Sequence, residues 1–293
     1  MISKENTVVI KQRKHSQWFD IWKRFRKNKA AMLGFIVMLI LILTAIFADV
    51  IASEGLDAQN LDRTFQPPSL QHPLGTDNLG RDMLARIIYG TRTSLRIGFT
   101  CVGVALTMGV IFGSIAGYYG GKLDNILMRF IDILIAVPNI LLAIAIASAL
   151  GPGLTNTMIA VGVGSIPGFA RQTRAAVLTV REREFIEAAR AIGGNDFRII
   201  TRHILPNCMA PIMVEATLGL GGAILSAAAL SFIGLGIQPP TPEWGYMLSV
   251  GRRFFLEHGY LVVFPGLAIV IVVVALNIMG DGLRDALDPK LKR

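Results

Sequence analysis

The sequence predicts an all-α integral membrane protein of six transmembrane helices with both termini in the cytoplasm. Three observations predict it. Apolar residues make up 53% of the 293 and the mean hydropathy is +0.54, beyond the apolar share of a soluble domain. Charged residues, 17% of the chain, are gathered into clusters that leave long uncharged runs between them. Cations crowd beside the first of these runs and around one later polar insert.

The uncharged runs cover 30–48, 97–121, 133–170, 216–242 and 259–280. A helix crossing a bilayer takes roughly 20 mostly apolar residues. Four runs supply one helix each, and the longest supplies two, divided at Gly151-Pro152-Gly153. The expected spans are 31–50, 95–118, 130–150, 154–171, 209–235 and 260–281. The first run is longer than the core of a signal peptide and others follow it, so it reads as a retained anchor.

Orientation follows from the cations. The tail 1–30 carries Lys11, Arg13, Lys14, Lys23, Arg24, Arg26, Lys27 and Lys29, which the positive-inside rule places in the cytoplasm. Six spans return the tail 283–293, with Arg284, Lys290, Lys292 and Arg293, to the same side, and the Arg-rich insert 172–208 falls there too. Arg81, Arg86, Arg92 and Arg96 in the first external loop oppose the rule; Asp77 and Asp82 interleave with them, and the summed bias stays N-in. The net charge of +9 therefore belongs to membrane flanks and not to a nucleic-acid face. Cys101 and Cys208 lie in or beside apolar runs without metal-ligand spacing and read as small buried hydrophobes.

Segment 31–94 holds the first span and a long external loop punctuated by Pro67-Pro68, Pro73 and Gly75. Within it, Met83, Leu84, Ile87, Ile88 and Gly90 recur at helical spacing over 82–96, which predicts an amphipathic helix along the membrane surface. Segment 95–282 forms a five-helix core. Gly109, Gly113, Gly117 and Gly121 recur every fourth residue, and Gly164 and Gly168 repeat the spacing; such stripes let helices approach closely in lipid. Asp132 is expected to pair with Arg129, three residues before it.

The insert is the most informative stretch. Phe185, Ala188, Ala189 and Ile192 share i, i+3, i+4, i+7 spacing and hence one helix face. Gly193-Gly194 ends that helix, Asn195 or Asp196 caps a second with Phe197, Ile200 and Ile204 on its apolar face, and Pro206 closes it. Such a hairpin is either a solvated cap on the bundle or a docking element.

The run Glu187-Ala188-Ala189, three residues, Gly193, nine residues, then His203-Ile204-Leu205-Pro206 resembles the cytoplasmic coupling motif of ATP-binding-cassette importers, with His203 in place of the usual Ile. Three further segments are similar to the C-type permease of the dipeptide, oligopeptide and nickel import family. They are Pro73–Asp82 continuing to Arg86, Gly90, Arg92 and Leu95; Leu230–Gly236 with Pro239-Pro240, Pro242 and Trp244-Gly245; and Gly280–Pro289. The resemblance implies a type I ABC importer permease fold, with no catalytic residue and no metal site. It implies coupling to ATPases through Glu187, Ala188, Ala189, Gly193, Leu205 and Pro206. The partners implied are a related second permease, two ATPases and an external substrate-binding protein, in a bacterial cytoplasmic (inner) membrane. ATP and Mg then sit on the partner subunits and this chain binds no cofactor; Gly120-Gly121-Lys122-Leu123 lacks the first glycine and the hydroxyl of a phosphate loop.

Two further groups are candidates. Glu215 is an ionisable residue near the start of a Gly- and Ala-rich span; such a group is costly there. With Gly219 and Gly222 it forms the candidate translocation path or permease interface, a hydrogen-bonded structural role being the alternative. Asp77, Arg81, Asp82 and Trp244 are candidates for external contact, with Trp244 alternatively an interfacial anchor. Di- and oligopeptides are the expected cargo, nickel or a metal–chelator complex the alternative. An ion-driven secondary transporter is the rival class, opposed by four histidines that all lie outside span centres.

Overall fold

The computed structural model describes residues 17–52, 54–56 and 58–287, every regular element of which is helical. Lys11, Arg13, Lys14, Lys290, Lys292 and Arg293 lie outside the described residues. Helix α1 (Gln17–Phe25) tucks Phe25 against Ala31 and Ala286. Asn28 then caps α2 (Lys29–Ile46), its Oδ1 accepting the Ala31 N–H at 3.1 Å. The helix stops at Phe47, short of the expected 50, and a single turn, α3 (Ala48–Ile51), follows. Arg92 reaches back to cover the freed carbonyls, donating to those of Ala45 (2.8 Å) and Ile46 (3.2 Å) and to Asp49 (2.9 Å). A cation at a helix C-terminus is the favourable sign.

Helix α4 (Met83–Tyr119) is one unbroken helix of 37 residues. The separate surface helix expected over 82–96 is instead its first third, with Met83, Ala85, Arg86, Ile88 and Leu95 buried in the protein. Of its polar residues, Arg86, Thr91 and Ser94 are buried with it, while Arg92 and Arg96 stay exposed.

The expected span 130–150 is not one straight helix. Helices α5 (Gly121–Ala136) and α6 (Asn139–Leu150) meet at a bend of 87°. Pro138 supplies the cause: it lacks an N–H and pushes Val137 out of the helical region, here to ψ 127°. Asp132 pairs with Arg171, two helices further on, at 2.6 Å, not with Arg129. Helix α7 (Leu154–Arg181) runs through the centre of the bundle. Its main partner is α4, at the glycine stripe: a Cβ on Gly109, Gly113 or Gly117 would strike Phe169, Ala170, Thr173 or Val177. Gly121 does not continue that stripe; it sits at φ +56° at the start of α5 with open space around it.

After α8 (Glu184–Ala191) and α9 (Asp196–Ile199), a π-turn over Ile200–Ile204 leads without interruption into α10 (Leu205–Phe232). Pro206 therefore does not close the second hairpin helix. It occupies the first turn of α10, where a missing N–H is tolerated because the π-turn has already changed the bonding register, the Leu205 N–H reaching back to the Ile200 carbonyl. Helices α11 (Trp244–Gly251) and α12 (Tyr260–Leu287) complete the chain.

Among the described residues, four continuous helical runs are long and apolar enough to cross a membrane: α2, α4, Asp196–Phe232 and α12; the bent α5–α6 pair makes a fifth. Two apolar cores join them. One lies between α4, α6, α7 and α10 around Phe169 and Leu230. The other lies between α2, α4, α10, α11 and α12 around Trp244. The outer faces of α2 and α12 expose Leu33, Ile36, Leu43, Val263, Leu267 and Val270, the pattern of helices solvated by lipid.

Candidate functional site

At one end of the bundle, the hairpin α8–α9 is keyed into a small core of its own. Ile186 and Ala189 from α8, with Ile199 and Ile204 beyond the turn, are buried against Val177, Val180 and Tyr118. Gly193, at φ +80°, makes the reversal in the left-handed region that side chains avoid. The Asn195 carboxamide accepts the Arg198 N–H at 2.8 Å, the cap expected there. The expected apolar face splits in two. Ala189 turns inward with Ile186, whereas Phe185, Ala188 and Ile192 turn outward with Phe197. Ile192 is 87% and Phe197 77% exposed, a large commitment of apolar surface to solvent for so short a hairpin. Glu187 borders this face, exposed and without an ion pair among the described residues.

Two contacts from α4 hold the hairpin in place, and neither is visible from local sequence. The Tyr118 hydroxyl donates to Asp196 at 2.7 Å, and the Arg190 guanidinium lies 5.1 Å over the Tyr118 ring. Arg181 donates to the Gly117 carbonyl at 2.8 Å, tying the end of α7 to the end of α4. The one hint in the sequence is the Tyr118-Tyr119 pair closing an apolar run, 78 residues before its partner.

The structure brings Glu215, Gly219 and Gly222 into one cleft of about 440 Å³ between α10, α7 and the α5–α6 bend. Pro138, Asn139, Ser165 and Arg171 complete its polar and turning edges. A Cβ on Gly222 would meet nothing within 4 Å, so this face of α10 is open to the cleft. One on Gly168 would come to 3.6 Å from Oε1 of Glu215.

Asp77, Arg81, Asp82 and Trp244 are all buried, which differs from side chains offered to an external partner. Asp77 accepts the backbone N–H groups of Leu79 (2.8 Å) and Arg81 (3.0 Å) and the Arg81 Nε–H (2.7 Å). Asp82 caps α4 by accepting the Ala85 N–H at 2.7 Å, and its second oxygen bonds His72 Nδ1 at 2.9 Å. Trp244 donates to the Ile87 carbonyl at 3.2 Å and stacks where Gly90 leaves room. These groups fold the loop onto α4, α11 and α12; Tyr260 fastens it further by donating to the Thr76 carbonyl at 2.8 Å. At the start of α11, both carboxylate oxygens of Glu243 accept N–H groups, from Gly245 and Tyr246 (2.8 Å each), while burial pushes its pKa above the usual carboxylate range.

Comparison with known proteins decides what class of molecule carries this geometry. Residues 109–293 match the family model of the binding-protein-dependent transport system inner membrane component, and residues 16–68 match that of the N-terminal TM domain of oligopeptide transport permease C. The chain belongs to this family of importer permeases.

Similar permeases extend over nearly the whole length. The chain is 50% identical over 277 residues to the dipeptide transport system permease protein DppC of Alkalihalophilus pseudofirmus, covering 94% of this chain and 91% of that one. It is 46% identical over 279 residues to the di/tripeptide permease DppC of Pseudomonas aeruginosa, covering 93% and 92%. It is 47% identical over 278 residues to the glutathione transport system permease protein GsiD of Escherichia coli O157:H7, covering 94% and 91%. In fold it matches a chain of the MetNI methionine ABC transporter in an inward-facing conformation, with a TM-score of 0.58 at 21% identity over 70% of this chain and 98% of that one. This ABC importer permease is thus a multi-pass protein of the inner membrane, of the C type.

Proposed function

We propose that this permease forms half of the translocation pathway of an ATP-driven importer of di- and oligopeptides, and that its hairpin over 182–206 transmits motion from separate ATPase subunits. The observation that carries the reading is the two-sided hairpin: its inner face is locked to α4 and α7, while its outer face presents Phe185, Ala188, Ile192 and Phe197 with Glu187 at the rim. A lever needs both a rigid hold on the bundle and a face for the motor. Peptide names on relatives at 46–50% identity favour peptide cargo over nickel or a metal–chelator complex.

In this reading the chain has six spans, the bent α5–α6 pair counting as one and α7 as the sixth. Twenty-eight residues of α-helix reach about 42 Å, enough to cross. Enclosure by α4, α6 and α10 excuses the lower apolarity of α7. An even number of spans keeps both termini cytoplasmic. The chain is non-catalytic and binds no cofactor; ATP and Mg belong to the ATPases. A second permease faces the cleft of Glu215, Gly219 and Gly222, and an external binding protein meets the opposite end, where Asp77, Arg81, Asp82 and Trp244 set the shape of the loop it touches.

The test is Glu187→Arg and Gly193→Leu in the reconstituted importer. Both are expected to insert and assemble, because Glu187 is exposed and the backbone strain of a leucine at φ +80° falls on an exposed turn away from the core. Both should lower cargo moved per ATP several-fold. Unchanged uptake in both variants would remove the coupling role from this hairpin.

A further inference from the structure

The cleft holds one charge that none of the described residues neutralises. Arg171 at its edge is paired with Asp132 at 2.6 Å, and together they contribute no net charge. Glu215, half-buried in the wall, has neither a hydrogen bond nor an ion pair among the described residues. A carboxylate placed among membrane helices without a partner is costly, and so is by default a functional candidate. Gly168 stands across from it, where an added Cβ would come into van der Waals contact with Oε1 at 3.6 Å, and Gly222 leaves the adjoining wall of α10 bare. The volume of about 440 Å³ lies within the roughly 300–1,000 Å³ of small-ligand sites. The other lining groups are apolar or neutral apart from the paired Arg171.

We infer that Glu215 is the counter-charge for the α-ammonium group of a peptide in transit, making this cleft a selective way-station and not only a passage. A free peptide is a zwitterion, and each end must be served when water is stripped from it. Here the ammonium replaces the water on Glu215 in a hydrogen-bonded ion pair, which a cargo without a cationic end cannot form. The peptide carboxylate is left to the Arg171–Asp132 edge, where the guanidinium is 51% exposed and can share its donors. The inference rests on the peptide-importer reading above.

The test uses the complete importer in proteoliposomes with cargo-saturated binding protein, so that affinity for the binding protein cancels between wild type and variant. The cargoes are Ala-Ala and N-propionyl-alanine, which has the same skeleton without the ammonium. Glu215→Gln is expected to slow Ala-Ala uptake about tenfold, the size of one charge-assisted hydrogen bond, and to leave N-propionyl-alanine within about twofold. Glu215→Asp, which keeps the charge, should recover most of the Ala-Ala rate. Equal slowing of both cargoes, or slowing of neither, overturns the inference while leaving the importer reading in place. If wild type carries only Ala-Ala, the Asp variant decides: uptake as low as that of Gln overturns the inference. A wild-type complex that carries no peptide overturns the importer reading, and this inference with it.

Discussion

Tyr118, Glu243 and Trp244 show how much single side chains decide at the two ends of this permease. Tyr118→Phe removes one hydrogen bond to Asp196, worth about 1 kcal/mol net, and keeps the ring under Arg190. The complex should assemble normally, with faster hydrogen exchange confined to 184–199. Trp244 is fully buried, so Trp244→Ala is expected to cost about 3–5 kcal/mol and to lower the yield of folded complex, read by size-exclusion recovery from detergent. Glu243 has its pKa raised by burial. Its contribution to folding is therefore complete below the ordinary carboxylate range and declines as pH climbs through the raised value. Exchange of the Gly245 and Tyr246 amides should quicken across that window, and Glu243→Gln, which mimics the protonated acid, should flatten the dependence. Roles of this kind were only partly legible beforehand. Gly193 and Asn195 announce a turn and a cap because those are local backbone needs. Asp132 with Arg171, and Tyr118 with Asp196, are 39 and 78 residues apart, and no spacing rule reaches that far. Asp77, Arg81 and Asp82 look like surface charge in sequence because their partners lie in the same short loop and only its closure buries them.

Among the elements, α4, α7 and α10 carry glycines to opposite purposes. On α4 the stripe Gly109–Gly113–Gly117 is filled by α7 backbone and side chains, whereas Gly222 on α10 faces the open cleft. Gly113→Leu should therefore abolish assembly, since the leucine meets Ala170, Thr173 and Arg174 backbone or Cβ atoms that cannot move aside. Gly222→Leu should leave the fold and melting of this chain unchanged while lowering uptake at least several-fold by filling the path; uptake and thermal melting of the two purified variants separate the cases. Periodicity marked α4 and composition marked α10 as glycine-rich without distinguishing these uses, because neither tells what lies opposite. The same limit explains the hairpin. Helix α8 is apolar on two sides, so a face drawn through Phe185, Ala188, Ala189 and Ile192 is consistent with the spacing, yet the fold divides it between Ala189 inside and the others outside. Pro206 misled for a different reason: a proline ends a helix only where its N–H is needed, and the π-turn before it removes that need.

For the whole molecule, membrane residence was legible from uncharged runs alone, because lipid imposes a length and an apolarity on whatever crosses it. The bend between α5 and α6 and the enclosure of α7 were not, since both depend on which helices shield which. The architecture that results joins three things along one axis. A loop locked by Asp77, Asp82 and Tyr260 lies at one end, a cleft with Glu215 lies between helices, and a hairpin gripped on its inner face and bare on its outer one lies at the other. The central claim is that the bare face of the hairpin is where an ATPase pushes. The most direct measurement places a cysteine at the exposed Ala188 in a chain with Cys101 and Cys208 replaced by alanine, and applies a short bifunctional crosslinker to native membranes. A single heavier species containing an ATP-binding-cassette subunit is expected, its yield changing when ATP is added. Absence of any ATPase from the crosslinked material, with the importer intact and active, would contradict it.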